Sequence, residues 1–149
     1  MADTKVAFKQ RLQQEFAKMQ EGQTFTFRRT FTDGDVAIFC GVTGDYNPYH
    51  IDEIFAQENW FGRRIVPGLL TGSMITNIGG LLGILATEMH FQYLKPVYIG
   101  DTITCVVTVA KKDVEKRTLV MHATFTNQDA LEVLSAQFNG FPANIRLAQ

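Results

Sequence analysis

The chain has 149 residues, a formal net charge of −1 and a hydrophobic fraction of 46%, which predict one domain with its own core. Charged residues make up 19% of the sequence and form no basic block, so the composition argues against a nucleic-acid-binding protein. The two cysteines, Cys40 and Cys105, are too few and too widely spaced for a disulfide framework or a zinc site. We expect them to be buried free thiols in a reducing compartment, the cytoplasm.

The uncharged segment from Ile65 to Thr87 has the length of a membrane span. It also contains Pro67, five glycines and several hydroxyl and amide side chains, which favour a buried helix in a soluble domain. Residues 1–23 are charged throughout and lack the apolar run of a signal peptide. We therefore expect no membrane association.

The first predicted elements lie before residue 44. Residues 4–19 repeat large apolar side chains every four positions, which predicts an amphipathic helix, and we assign residues 1–22 to a helical arm and 23–149 to the single domain. Residues 23–31 alternate as a strand does. Thr32 and Asp35 have the spacing of a capping box, which predicts a helix from Asp35 to Val42 that stops near Gly44.

The middle of the chain is predicted to be helical around one loop. Asn47-Pro48 predicts a turn or loop from Asp45 to His50, followed by a short helix over residues 51–59. A long buried helix is predicted from Pro67 to about Ala86, with proline in the first turn.

From Glu88 onward the apolar residues recur at every second position, which predicts strands. The clearest inward faces are those of residues 103–109 and 119–125, followed by a last strand over residues 130–138. The order of elements indicates an α+β domain in which an antiparallel sheet wraps one long central helix. Such a sheet has exposed edges that pair readily with a second copy, so we expect a homodimer.

The most informative stretch for chemistry runs from Asp45 to His50. A carboxylate and an imidazole five residues apart, in a loop fixed by proline, can be aimed at one point to hold a water and move its protons. The same residues also suit an ordinary solvated turn, and spacing alone favours that simpler interpretation.

Two residues of the predicted long helix could complete such a site. The N–H of Gly68, in the first helical turn, has no partner within the helix and is a candidate donor to a thioester oxygen. Thr76, two turns later, could hold the Asp45 carboxylate. Each also has a structural interpretation, Gly68 as a packing glycine and Thr76 as a threonine bonded to its own helix.

Two motifs and a downstream strand resemble one known family. The stretches G-D-Y-N-P-Y-H-I-D (residues 44–52), F-G-R-R-I-V-P-G-L-L (61–70) and K-P-V-Y-I-G-D-T (95–102) are similar to those of the R-specific enoyl-CoA hydratases, the MaoC-like hydratases. The similarity covers residues 24–140 and leaves out the N-terminal arm.

The resemblance implies a hot-dog fold, a homodimer and the addition of water to trans-2-enoyl-CoA to give R-3-hydroxyacyl-CoA. It implies that Asp45 and His50 are the catalytic pair. Our hypothesis for the mechanism makes Asp45 the base on the water and His50 the proton donor to C2, with the alternative that the two share these roles. Asn47 matches the supporting amide, Gly68 the oxyanion-hole glycine and Thr76 a supporting hydroxyl. The resemblance implies neither a metal nor a redox cofactor. Coenzyme A enters only as part of the substrate. Pro67 departs from the family pattern, where many members have histidine.

Two alternatives remain open at this stage. The same fold hosts acyl-CoA thioesterases, which direct water to the carbonyl carbon instead of C3. A non-catalytic acyl-CoA-binding subunit is the other, although the presence of Asp45, Asn47 and His50 together argues against it. His90 and His122 lie in strand patterns and are not expected to bind a metal.

Overall fold

A five-stranded antiparallel sheet packs against a short helical segment in the computed structural model, which describes residues 2–142. The strand order is β1-β3-β4-β5-β2, so β1 and β2 form the two edges. The strands are β1 (Thr24–Thr30), β2 (Ile84–Tyr93), β3 (Thr102–Asp113), β4 (Thr118–Thr126) and β5 (Glu132–Pro142). The helices are α1 (Ala2–Lys18), α2 (Asp33–Thr43), α3 (Pro48–Ile51), α4 (Glu53–Gln57), α5 (Gly68–Gly72) and α6 (Thr76–Leu82), with a 3₁₀ turn (Ser73–Ile75) between the last two.

The core lies between the inner face of the sheet and the helical segment of residues 68–82. The predicted inward faces of β3 and β4 are buried, and their residues are paired across the strands, as with Cys105 opposite Phe125. Ile75 and Ile78 cover this face from the helical side. Burial raises the pKa of the Cys105 thiol to about 12, which keeps it neutral, and Cys40 is also a buried free thiol.

The capping box forms at the start of α2. The Thr32 hydroxyl accepts a hydrogen bond from the Asp35 N–H at 3.2 Å, and the Asp35 carboxylate accepts one from the Thr32 N–H at 2.9 Å. The helix therefore begins at Asp33, and it ends at Gly44, whose left-handed backbone (φ 76°) caps it as predicted.

The long helix predicted from Pro67 to Ala86 was wrong in its continuity and its end. The Ser73 and Thr76 hydroxyls donate to the carbonyls of the residues three positions earlier, at 2.6 and 2.7 Å, and a tighter 3₁₀ turn separates α5 from α6 at this point. Gly83 then takes a left-handed conformation (φ 68°) that ends α6. The chain reverses there, so β2 begins at Ile84 and not at Glu88.

Helix α1 joins the domain across the boundary predicted at residue 22. Phe16 and Met19 lie in the core, 6% and 4% exposed. The Lys112 ammonium donates to the carbonyls of Ala17 and Met19 and lies 4.7 Å from the centroid of the Phe16 ring. These contacts attach the C-terminal end of α1 to β3. Among residues 2–142 there is no helix with the length and apolar character needed to cross a membrane.

Candidate active site

The Asp45 carboxylate is held where α2 ends and the chain turns. After Gly44, the Asp45 N–H donates to the Thr43 hydroxyl at 3.2 Å. Asp45 Oδ1 accepts the Asn47 N–H at 3.3 Å, and Oδ2 is the oxygen that faces His50. Asn47 in turn caps α3 by accepting the Tyr49 N–H at 3.3 Å. The predicted loop is therefore a loop only as far as Asn47, and His50 lies on a single helical turn that begins at Pro48.

His50 is buried, and a hydrogen bond fixes its orientation and its tautomer. Its Nδ1 lies 2.8 Å from the carbonyl oxygen of Ile65. Because a carbonyl can only accept, Nδ1 carries the proton of this bond. In the neutral imidazole Nε2 is then unprotonated, and it faces Asp45 Oδ2 at 3.7 Å.

The gap between Asp45 and His50 determines what the pair can bind. A separation of 3.7 Å is too long for a direct hydrogen bond and leaves the two atoms as neighbouring acceptors. A water molecule has two protons to donate, so one water can bridge the carboxylate and the imidazole. The pair is thus arranged to orient a water by both of its protons.

The segment before α5 is tied to the same loop. The Ile65 N–H donates to the Tyr49 carbonyl at 3.1 Å, and the Val66 N–H donates to the Val97 carbonyl at 2.7 Å. Arg64 donates to Asp33 and to Glu53, both at 2.9 Å, and these carboxylates raise the pKa of the guanidinium. The first turn of α5 is consequently held next to His50.

Gly68 lines the same cavity as Asp45 and His50, and this cavity has a volume of about 490 Å³. It is the first residue of α5, after Pro67, and no side chain caps this end of the helix. A β-carbon at Gly68 would lie 2.6 Å from Cε1 of Tyr93, so any larger residue would have to displace the ring. Burial raises the pKa of the Tyr93 phenol, which is therefore neutral where it covers the glycine.

The rest of the cavity wall is largely apolar and includes Val66, Val97, Val133 and Leu134. Trp60, 81% exposed, stacks on Phe61 with ring centroids 3.9 Å apart, and both rings also line the cavity. Pro67 lines it as well. Such a wall suits a hydrocarbon chain.

The structure does not bring Thr76 to Asp45. The Thr76 hydroxyl donates to the Ser73 carbonyl at 2.7 Å, and the residue lines a different, apolar cavity together with Ile75 and Gly79. The expected contact with the carboxylate is therefore absent within this chain, because the 3₁₀ turn satisfies the hydroxyl locally.

The other candidate residues have structural surroundings. His90 and His122 flank Gln137 in the strand register, where both are exposed. Asp101 accepts hydrogen bonds from the Tyr98 N–H at 2.9 Å and from Gln128 at 3.0 Å, as a turn residue does. Within residues 2–142 no group of three or more His, Cys, Asp or Glu is placed to hold a metal ion.

Three contributors to the site were missed from the sequence. The Ile65 carbonyl that orients His50 is a backbone group and leaves no residue signal. The contact of Tyr93 with Gly68 depends on the packing of β2 against α5. Thr71 also lines the cavity. It follows Gly68 by three residues, which places both on the same face of a helix, and this spacing is a signal that could have identified it.

The sheet order and the helical segment packed against it are those of a hot-dog fold, and a carboxylate–imidazole pair lies beside the first turn of that segment. The R-hydratase PhaJ1 from Pseudomonas aeruginosa has a similar structure, with a TM-score of 0.80 and 25% identity over 90% of this chain and 91% of that one. The (R)-hydratase of Aeromonas caviae superimposes with a TM-score of 0.81 and 25% identity, covering 85% of this chain and 98% of the other.

The family follows from the sequence as well. Residues 15–130 match the MaoC like domain, and the chain belongs to that family. It is 32% identical over 115 residues to an (R)-specific enoyl-CoA hydratase of Rhodospirillum rubrum, a match that covers 74% of this chain and 80% of the relative.

Proposed function

We propose that this protein is an R-specific enoyl-CoA hydratase, a hydro-lyase that adds water across the C2=C3 bond of a trans-2-enoyl-CoA. The observation that carries the proposal is the pair of acceptors, Asp45 Oδ2 and His50 Nε2, held 3.7 Å apart in one cavity with Gly68. The relatives named as (R)-specific enoyl-CoA hydratases support the same activity.

The mechanism begins with a water whose two protons point to Asp45 and His50. The thioester carbonyl oxygen accepts a hydrogen bond from the Gly68 N–H, which polarises the conjugated double bond and makes C3 electrophilic. The water oxygen bonds to C3 as one of its O–H bonds breaks, and the electron pair of the double bond moves toward the thioester oxygen as an enolate.

The proton then returns to C2 from the same side. Because Nδ1 is committed to the Ile65 carbonyl, neutral His50 must accept a proton at Nε2 before it can donate one. We assign this step to His50, with Asp45 holding the second proton of the water and stabilising the imidazolium. This assignment gives His50 the base role that the sequence had assigned to Asp45. Delivery of that proton to C2 completes a syn addition in which both added groups come from one water.

The addition involves no electron transfer, and the acid–base pair with one N–H donor accounts for each proton, so the proposal includes no metal or redox cofactor. The reverse reaction, dehydration of the 3-hydroxyacyl thioester, uses the same groups. A thioesterase would require the water to face the carbonyl carbon. In the proposed geometry that carbonyl is bound at Gly68, and the water lies over C3.

We also propose a homodimer that forms through the β2 edge. This strand lies at an edge of the sheet and exposes Leu85, Met89 and Tyr93 by 55%, 44% and 52%. Apolar side chains on an unpaired edge strand favour pairing with a second copy. The two free cysteines support the cytoplasm, a reducing compartment, as the location.

The test follows the loss of crotonyl-CoA absorbance and determines the chirality of the product, with the His50→Asn and Asp45→Asn variants alongside. We expect R-3-hydroxybutyryl-CoA from the wild type and a loss of about 10²–10⁴-fold in kcat for each variant. His122→Asn and Asp129→Asn make the same chemical changes outside the cavity and should retain wild-type rates. Release of free CoA without consumption of the enoyl group would replace the proposal with the thioesterase.

A further inference from the structure

Thr71 in α5 has a hydroxyl that the folded chain does not satisfy. The residue is 1% exposed, and its Oγ1 has no hydrogen-bond partner. Leaving a buried hydroxyl unpaired is destabilising, so such a group needs an explanation.

The neighbouring polar side chains of the same helical segment make this unusual. The hydroxyls of Ser73 and Thr76 and the Asn77 amide each donate to a carbonyl three residues earlier, at 2.6 to 2.8 Å. The Pro67 carbonyl lies one helical turn before Thr71 and accepts the Thr71 N–H at 3.2 Å, so it is a neighbouring acceptor for the hydroxyl too. Its hydroxyl nevertheless does not make the usual bond back to the helix.

Its position connects this hydroxyl to the reaction. Thr71 follows Gly68 by three residues, so both lie on the same face of α5, and both line the cavity that contains Asp45 and His50. Side chains on a helix lean toward its N-terminus, which places the Thr71 side chain over the turn that begins with the Gly68 N–H.

Resting on the function proposed above, we infer that the Thr71 hydroxyl is a second donor to the thioester oxygen, beside the Gly68 N–H. An enolate oxygen carries more negative charge than the carbonyl it forms from and can accept two hydrogen bonds. The Thr71 oxygen is buried and unpartnered beside this cavity, and a rotation of about 120° to another staggered χ1 well can re-aim it without moving the backbone.

The alternative to this role is a purely structural threonine. A structural residue with an unsatisfied hydroxyl would lose nothing when the oxygen is replaced by a methyl group, and the protein should keep or gain stability. A donor to the enolate would instead lose transition-state stabilisation with little change in folding. Because neither interpretation predicts a loss of stability, turnover is the quantity that separates them, and an unchanged Tm shows that a lost rate is not due to unfolding.

The experiment compares Thr71→Val, Thr71→Ser and wild type in the hydration of crotonyl-CoA, with Ser73→Ala as the control. Ser73 is on the same helical segment, but its hydroxyl is bonded to the Leu70 carbonyl and does not line the cavity. We expect Thr71→Val to lower kcat by about 100-fold, the scale of one oxyanion-hole donor, with a smaller change in KM and an unchanged or higher Tm. Thr71→Ser should restore most of the rate.

Two results would overturn the inference while the proposed function stands: a Thr71→Val enzyme with the wild-type kcat, or a Thr71→Ser enzyme as slow as Thr71→Val. Absence of hydration by the wild type itself, across short and long enoyl chains, would remove the proposed function and this inference together.

Discussion

The two ends of the helical segment from Gly68 to Leu82 are both rich in small residues, but they lie in different surroundings. At the first end, Gly68 and Gly72 lie under the rings of Tyr93 and Phe91, with a β-carbon position 2.6 and 2.8 Å from the ring atoms. At the other end, a β-carbon on Gly79 would lie 2.9 Å from the Ile84 carbonyl oxygen. At Gly83, beyond it, a β-carbon would lie 3.0 Å from the Leu12 side chain of α1.

The comparison shows that similar composition serves two purposes. The glycines at the first end let aromatic rings approach the turn that lines the cavity with Asp45 and His50. Those at the far end let the chain reverse into β2 and let α1 pack closely. We therefore expect substitutions at the first end to affect turnover and those at the far end to affect folding.

The largest effect is expected for Gly68→Ala. The new methyl group must displace the Tyr93 ring or the first turn of α5, which moves the proposed thioester donor. A displacement of this kind at a reacting centre costs about 100-fold in kcat/KM. Because Tyr93 is half exposed, the ring can move and the free energy of unfolding should change little. Steady-state kinetics and urea unfolding of the same preparation measure both quantities.

A second substitution tests whether the clash with the Tyr93 ring causes the loss of activity in Gly68→Ala. Adding Tyr93→Leu to Gly68→Ala removes the ring that the methyl group meets, and part of the lost activity should return. A double variant no more active than the single one would show that Tyr93 is not the obstruction.

The next effect, at the far end, is expected for Gly83→Ala. Its φ of 68° is left-handed, which costs an L-residue about 1–2 kcal/mol, and the new carbon would lie 3.0 Å from Leu12. The free energy of unfolding should fall by at least that amount, while kcat of the folded protein stays at the wild-type value. Urea denaturation with an activity assay on the native fraction checks this. A large drop in kcat would contradict the division between the two ends.

These differences were only partly predictable from the sequence. The alternation of apolar residues at every second position correctly predicted the inward faces of β3 and β4, because one buried face fixes which residues point inward. The capping box at Thr32 was predictable because it depends on residues three apart. Asp45, His50 and Gly68 were candidates from loop chemistry and helix position, the resemblance assigned their roles, and the structure brings them to one cavity.

The features that could not be predicted depend on contacts between distant segments. The Ile65 carbonyl sets the tautomer of His50 only because residues 49 and 65 are hydrogen-bonded. A run of small uncharged residues suits one long helix as well as two short ones, so the 3₁₀ turn at Ser73 was hidden. The unpaired hydroxyl of Thr71 follows from burial, which a single sequence does not display.

Gly80→Ala should have a smaller effect and the opposite sign. Gly80 lies within α6, and a β-carbon there would meet no atom within 4 Å. Replacing such a glycine stabilises a protein by about 0.4–1 kcal/mol, because the unfolded chain loses conformational freedom. It is also the matched control for Gly83→Ala, three residues away. If Gly80→Ala destabilised the protein by as much, a contact outside this chain, such as a second copy, would have to cover the site.

The smallest effect is expected for Thr76→Val, which tests whether the far end of the segment takes part in the chemistry. Its hydroxyl donates to the Ser73 carbonyl and lies outside the cavity of Asp45 and His50. Losing an exposed bond of this kind changes the free energy of unfolding by about 0.5 kcal/mol or less, and kcat should not change measurably. Stopped-flow hydration of crotonyl-CoA by the two proteins makes the comparison. A fall in kcat without a fall in stability would mean that Thr76 reaches an active site after all. Since the Thr76 hydroxyl does not reach Asp45 within its own chain, that site would belong to a second copy paired along β2.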